Sequence, residues 1–254
     1  MQKNREVQRS FGLLGKQISY SFSRGYFAAK FEKLGLAACI YENFDLESIE
    51  LLPALLKERT DLAGLNVTIP YKEAVIPYLD KLDAVAEEIG AVNTIRFLSD
   101  GSLKGYNTDA YGFEESIKPY LNPEHKIALI LGTGGASKAI KYVLNNLGLQ
   151  TTFVSRSPKN KDQIGYDELD EGMLAKAKVL VNCTPLGTFP DVGAHPDIDY
   201  SQLTDQHLLY DLIYNPELTT FLKKGMAQGC MTLNGLKMLE LQAEKSWKIW
   251  NTKK

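Results

Sequence analysis

Apolar positions along this chain fall in two spacings, and the two alternate from one end to the other. Short apolar runs at Phe11-Gly-Leu-Leu-Gly15, Ala38-Cys-Ile-Tyr-Glu42 and Leu62-Ala-Gly-Leu-Asn-Val-Thr68 predict strands. Between them, apolar residues recur every three or four positions. That predicts a helix after the polar loop Lys16–Ser23 as far as Leu34, with Gly35 closing it, and another from Leu46 to Thr60. Pro53 interrupts the second, since proline opens a helical turn but does not sit inside one. A further helix starts at Ile69-Pro-Tyr-Lys72, and Asp80 to Gly90 reads as helix or turn. Ala91–Phe97 and Leu103–Tyr106 flank Ser99-Asp-Gly-Ser102, a hairpin signal.

The second half opens on Ile127-Ala-Leu-Ile-Leu131, five apolar residues that predict a strand buried on both faces. It runs into Gly132, Gly134, Gly135 and Ala136, then a helical pattern to Leu147 and a strand at Leu149–Ser155. Further strands are predicted at Val179–Asn182, Leu208–Asp211 and Gly229–Thr232, with helices near Glu168–Lys178 and Thr219–Gln228. Leu236 to Trp250 forms a last amphipathic helix. The alternation predicts an α/β protein of two domains, an N-terminal α/β domain over 1–108 and a doubly wound parallel sheet over 109–235.

Strand, glycine turn, helix and strand in succession form a phosphate-binding unit, because backbone N–H groups at a helix N-terminus favour an anion. The dinucleotide fingerprint expects a third glycine and, about twenty residues on, a carboxylate for a ribose hydroxyl. Here Ser137 replaces the glycine, and the second strand ends in Ser155-Arg-Ser-Pro-Lys159 without a carboxylate. A guanidinium pairs with a 2′-phosphate where a carboxylate would repel it, so Arg156 and the missing carboxylate favour NADP over NAD.

The totals narrow the remaining classes. The 254 residues carry a net charge of −2 without a long basic or acidic run, which gives no nucleic-acid or membrane footprint. The polar N-terminal run Met1–Ser10 lacks the apolar segment of a secretory signal, and no apolar run is long enough to span a membrane. Cys39, Cys183 and Cys230 are odd in number and set among apolar neighbours, which fits reduced thiols in a cytoplasmic protein. No metal-ligand spacing is present, so no metal is expected.

Polar clusters at element ends supply the candidate chemistry. Asn66-Val-Thr-Ile-Pro-Tyr-Lys72 combines an amide, a hydroxyl and an ammonium; Gly90-Ala-Val-Asn-Thr94 and Gly105-Tyr-Asn-Thr-Asp109 add amides, threonines and a carboxylate. Singly, each is explained by turn and cap preferences. In order, with Ser21-x-Ser23 before them, they resemble the shikimate dehydrogenases. The later motifs Asn182-Cys-Thr-Pro-Leu-Gly187, Asp211-Leu-Ile-Tyr-Asn-Pro216 and Asn234-Gly-Leu-Lys-Met-Leu-Glu-Leu-Gln242 extend the resemblance.

The resemblance implies a substrate-binding domain over 1–108, a Rossmann NADP domain over 109–235, and a C-terminal helix, 236–254, that returns to the substrate domain. It implies that Ser21, Ser23, Asn66, Thr68, Asn93, Tyr214 and Gln242 bind shikimate or 3-dehydroshikimate, with Lys72 and Asp109 flanking the reacting hydroxyl as the catalytic pair. Gly132, Gly134, Gly135 and Ala136 would cradle the pyrophosphate of NADP(H). Ser155, Arg156 and Lys159 would hold the 2′-phosphate, with Thr184, Leu186 and Gly235 along the rest of the cofactor. Where the family has Pro and then His-Asn after the paired serines, this chain runs Ser23-Arg-Gly-Tyr-Phe27. The implied reaction is the NADPH-dependent reduction of 3-dehydroshikimate, in a monomer or homodimer. A quinate/shikimate dehydrogenase that also uses NAD, and a non-catalytic NADPH or shikimate sensor, are the alternatives.

Overall fold

The computed structural model describes residues 8–19 and 21–252, so most of the polar N-terminal run and Tyr20 of the first loop lie outside the described residues. The chain divides into two compact units, one of residues 1–108 with 243–254 and one of residues 109–242.

The first unit holds a six-stranded sheet in the order β2-β1-β3-β5-β6-β4. Strands β1 (Arg9–Gly15), β2 (Cys39–Asp45) and β3 (Leu62–Val67) are parallel, as their helical crossovers require. Strand β5 (Thr94–Phe97) runs antiparallel to β3 and forms the predicted hairpin with β6 (Leu103–Tyr106). Asp100 and Gly101 (φ +82°) close its turn, and the Asp100 carboxylate accepts from the Ser102 N–H at 3.0 Å. Strand β4 (Lys81–Leu82) pairs with β6 inside a stretch predicted as helix or turn. Two residues are too few to show a period. Helix α1 (Phe22–Lys33) starts where the Ser21 hydroxyl accepts from the Ser23 N–H, and Gly35 (φ +66°) follows its end. Helix α2 is shorter than its pattern, Leu52–Glu58, because Pro53 fixes its first turn. Helices α3 (Tyr71–Ala74) and α4 (Ala84–Ile89) complete the first 107 residues.

Helix α5 (Thr108–Ile117) begins at the unit boundary, and the last helix, α9 (Leu236–Trp250), passes from the second unit back into the first. In the first unit, Trp250 packs with Phe11 and Phe27, ring centroids 4.9 and 5.4 Å apart, and its indole N–H donates to the Ile95 carbonyl at 3.0 Å. Gly64 leaves the room for it, since a Cβ there would overlap the indole.

The second unit is a parallel sheet in the order β12-β11-β10-β7-β8-β9. Its strands are β7 (Ile127–Leu131), β8 (Gln150–Val154), β9 (Gln163–Ile164), β10 (Val179–Asn182), β11 (Leu208–Asp211) and β12 (Met231–Leu233). All pairings are parallel, with α6 (Gly135–Asn146), α7 (Glu171–Lys176) and α8 (Thr220–Ala227) among the connections. The chain winds outward from β7 in one direction and from β10 in the other, so the switch point lies between these strands. Helix α7 falls short of its pattern because Asp170 caps it, accepting from the Met173 N–H at 2.7 Å. Strand β9 has no sequence signal. No helix among the described residues is long and apolar enough to cross a membrane.

Candidate functional site

In the first unit the candidate substrate residues gather at one end of the sheet. The carboxyl end of β1 meets the segment after β3, where the Thr68 N–H donates to the Leu14 carbonyl at 2.8 Å. Lys72, half-buried in α3, is fixed by its own carbonyl, which accepts from the Val92 N–H at 2.7 Å and so ties the lysine turn to the residue before Asn93. Ser21 and Ser23 open α1. Burial raises the Tyr41 phenol well above its usual range, and Ser23 nearby opposes the shift.

A buried hydrogen-bond network connects these groups. The Asn66 Oδ1 accepts from the Tyr41 hydroxyl at 2.8 Å, and its Nδ2 donates to Ser246 Oγ at 3.0 Å and Thr94 Oγ1 at 3.2 Å. Asn93 Oδ1 accepts from the Thr108 N–H at 2.7 Å and so satisfies the first donor of α5. Thr94, Thr108 and Ser246 hydroxyls close the ring at 2.8 to 3.2 Å. Asn66 is 5% and Asn93 3% exposed, a depth at which an unpaired amide would cost about 1–3 kcal/mol. Thr94 and Thr108 stood in the quoted motifs without an assigned role, and Tyr41 and Ser246 escaped the sequence reading. Ser246 lies one turn after Gln242 on the same helix, the one signal that could have found it.

Tyr26 and Phe27, which depart from the family pattern, belong to this unit's packing. Phe27 stacks on Tyr41 at 4.6 Å, and the Tyr26 hydroxyl donates to Glu244 at 2.6 Å. Lys30 pairs with the same carboxylate at 2.6 Å. Burial alone would raise the Glu244 carboxyl, but Lys30 and Tyr26 outweigh it and hold it below its usual range.

Asp109, Tyr214 and Gln242 lie in the second unit. Asp109 is 7% exposed in the first turn of α5, where a carboxylate complements the helix dipole. Three residues on, Gly112 lets α9 approach, for a Cβ there would meet the Met238 carbonyl and the Gln242 backbone. Asp109 therefore stands one turn from the place where Gln242 crosses. Tyr214 is half-buried after β11.

The second unit also contains a cavity of about 1020 Å³ at its switch point. Gly132, Gly134, Ser155, Arg156, Lys159, Thr184 and Leu186 all line it. Gly132 has φ +102°, and a Cβ there would come within 2.9 Å of the Thr184 side chain, so the turn after β7 admits only glycine without strain. Gly134 faces open space and caps α6 without a side-chain acceptor, which leaves the helix end open to an anion. Ser137 explains its departure from the third glycine: 1% exposed, its hydroxyl turns back to donate to the Gly134 carbonyl at 2.6 Å.

Gly135 and Ala136 begin α6 behind the turn and Gly235 packs on the Leu212 carbonyl; none of the three lines this cavity. Tyr166, His195 and Asp197 line it unannounced by the sequence. Burial raises the Tyr166 phenol, and Arg156 nearby opposes the shift. Asp199, also in the wall, already accepts from the Ser201 hydroxyl and the Gln202 amide. Arg156 and Lys159 in the lining, the glycine turn and the uncapped helix fit a phosphorylated dinucleotide with a 2′-phosphate. Among the described residues no His, Cys, Asp and Glu group is placed to hold a metal ion.

A parallel sheet with a glycine turn and, at its switch point, a cavity lined by Arg156 and Lys159 defines the second unit as a dinucleotide-binding domain of the doubly wound class. The comparisons with known proteins are narrower. Residues 13–95 match the family described as shikimate dehydrogenase substrate binding domain. The shikimate dehydrogenase (NADP(+)) of Desulforamulus reducens is 36% identical, over 94% of this chain and 88% of that protein. The shikimate 5-dehydrogenase of Thermus thermophilus, solved with NADP(H) and shikimate, superposes with a TM-score of 0.84 at 34% identity, covering 96% of this chain and 93% of that one. A quinate dehydrogenase of Corynebacterium glutamicum, solved with NAD, gives 0.85 at 29% identity, covering 96% and 94%. This chain belongs to the shikimate dehydrogenase family.

Proposed function

We infer that this protein catalyses the reversible NADPH-dependent reduction of 3-dehydroshikimate to shikimate in the pathway to the aromatic amino acids. The observation that carries the reading is that Arg156 and Lys159 line the second unit's cavity, in a chain so similar over its length to an NADP-linked shikimate dehydrogenase. The first unit is the substrate domain and the second the cofactor domain.

Ser21, Ser23 and Thr68 hold the carboxylate and hydroxyls of shikimate with neutral donors. Asn93, Tyr214 and Gln242 complete the set, and Asn66 supports it through its bond to the Asn93 carbonyl at 3.3 Å. The nicotinamide, when bound, supplies the hydride. Lys72 delivers the proton to the carbonyl oxygen as negative charge develops there, and takes it back in the reverse direction. Asp109 accepts a hydrogen bond from a hydroxyl of the same ligand. Gly132, Gly134, Gly135 and Ala136 present the turn and helix end to the pyrophosphate, Ser155, Arg156 and Lys159 hold the 2′-phosphate, and Thr184, Leu186 and Gly235 flank the remainder. The protein works in the cytoplasm as a monomer or homodimer.

The likeness to an NAD-bound quinate dehydrogenase supports a second reading, broader in substrate and cofactor. The two cations in the cavity and the missing carboxylate after β8 weigh against it. Complementation tests the reading in a cell. A bacterium without its own shikimate dehydrogenase, plated without aromatic amino acids, should grow with this chain and fail with its Lys72→Ala variant. Absence of growth with the soluble unmodified chain would contradict it.

A further inference from the structure

Asp211 ends β11 with no exposed surface, and its register partner is Asn182 at the end of β10. Three donors converge on its carboxylate: Thr219 Oγ1 at 2.6 Å, the Ile213 N–H at 3.0 Å and Asn182 Nδ2 at 3.1 Å. The other end of Asn182 holds the next turn. Its Oδ1 accepts from the Thr184 hydroxyl at 2.7 Å and the Thr184 N–H at 3.0 Å, and Thr184 Oγ1 accepts from the Leu186 N–H at 3.3 Å.

An amide side chain can present either end to a neighbour. The Asp211 carboxylate at 3.1 Å, with the Leu186 carbonyl at 3.4 Å as a longer second acceptor, fixes the Asn182 nitrogen on that side and leaves its oxygen for Thr184. We propose that Asp211 is a positioning residue for cofactor binding, acting through Asn182 to hold the turn on which Thr184 and Leu186 line the cavity. The inference rests on the NADP reading of that cavity.

Packing alone does not account for an acid at this site. Burial pushes the Asp211 carboxyl up to about 6 in spite of its three donors, so the ionised group costs stability at neutral pH. The same carboxylate also steadies Thr219, whose hydroxyl caps α8, and that purely structural role is the competing account.

Calorimetric titration with NADPH separates the two, with melting temperature and the KM for shikimate measured beside it. Asp211→Ala, which removes the acceptor, and Asn182→Ala should each weaken NADPH about tenfold and leave the shikimate KM within about twofold. Their combination should be no worse than either alone, because one residue acts through the other. Phe221→Leu, a core substitution in the same unit, serves as the control for lost stability and should leave NADPH affinity unchanged. Unchanged NADPH affinity in either polar variant, additive losses in the double variant, or an equal loss in Phe221→Leu would each overturn the proposal. Should Asp211→Ala fail to fold, Asn182→Ala decides it alone. Failure of the unmodified protein to bind NADPH would instead sink the cofactor reading, and this inference with it.

Discussion

Arg156 is exposed at the rim of the cavity, and its value lies in geometry as much as charge, since a guanidinium offers a phosphate two parallel donors. Arg156→Ala is expected to raise the KM for NADPH at least about tenfold while that for NADH moves little. Equal losses for both cofactors would mean that Arg156 does not contact the 2′-phosphate. At Lys72 the expectation falls on turnover. Lys72→Ala should lower kcat by about 10²–10⁴-fold with a small change in the KM for shikimate, and the reverse split would make the lysine a binding residue. Both residues could be picked out of the sequence as candidates because they sit in motifs at strand ends. Asp211 and Asn182 sat in such motifs too, but no role could be read for them. Their importance comes from being register partners on adjacent strands, which a linear pattern does not reveal.

Strands and helices with a clear period could be read directly, above all the buried run of β7 and the alternation after it. The two-residue strands β4 and β9 could not, being held by neighbours and not by their own composition. Helix α9 was legible as an amphipathic helix, whereas its packing partners were not. Its last turns cover β3 at Gly64, where the indole of Trp250 occupies the place of a side chain. Gly64→Ala should therefore destabilise the protein by about 1–3 kcal/mol in urea denaturation. An unchanged midpoint would show that the indole can move aside without cost. The Ser23–Phe27 departure is likewise a matter of packing: Phe27 fills the aromatic cluster, and Tyr26 with Lys30 anchors Glu244 on α9.

For the whole molecule, buried charge sets how stability varies with pH. Asp211 binds its proton more tightly folded than unfolded, since its value rises from the ordinary 3.8 to about 6. Its contribution is fully present below about pH 4 and is lost as pH rises through 6, a change of about 3 kcal/mol. The stability difference between the unmodified protein and Asp211→Asn should follow that course from pH 4 to 8. A flat difference would show that burial does not perturb this carboxyl. Glu244 acts in the opposite sense: held below its usual range, it loses its contribution as pH falls.

The division into two units, which we propose to be a substrate and a cofactor unit, leads to one central claim, an NADP-linked oxidation of shikimate. Absorbance of the reduced nicotinamide tests it most directly, with shikimate or quinate offered alongside NADP or NAD. Rapid reduction of NADP with shikimate, and little in the other three mixtures, is the predicted result. No reduction in any mixture by folded protein would contradict the account.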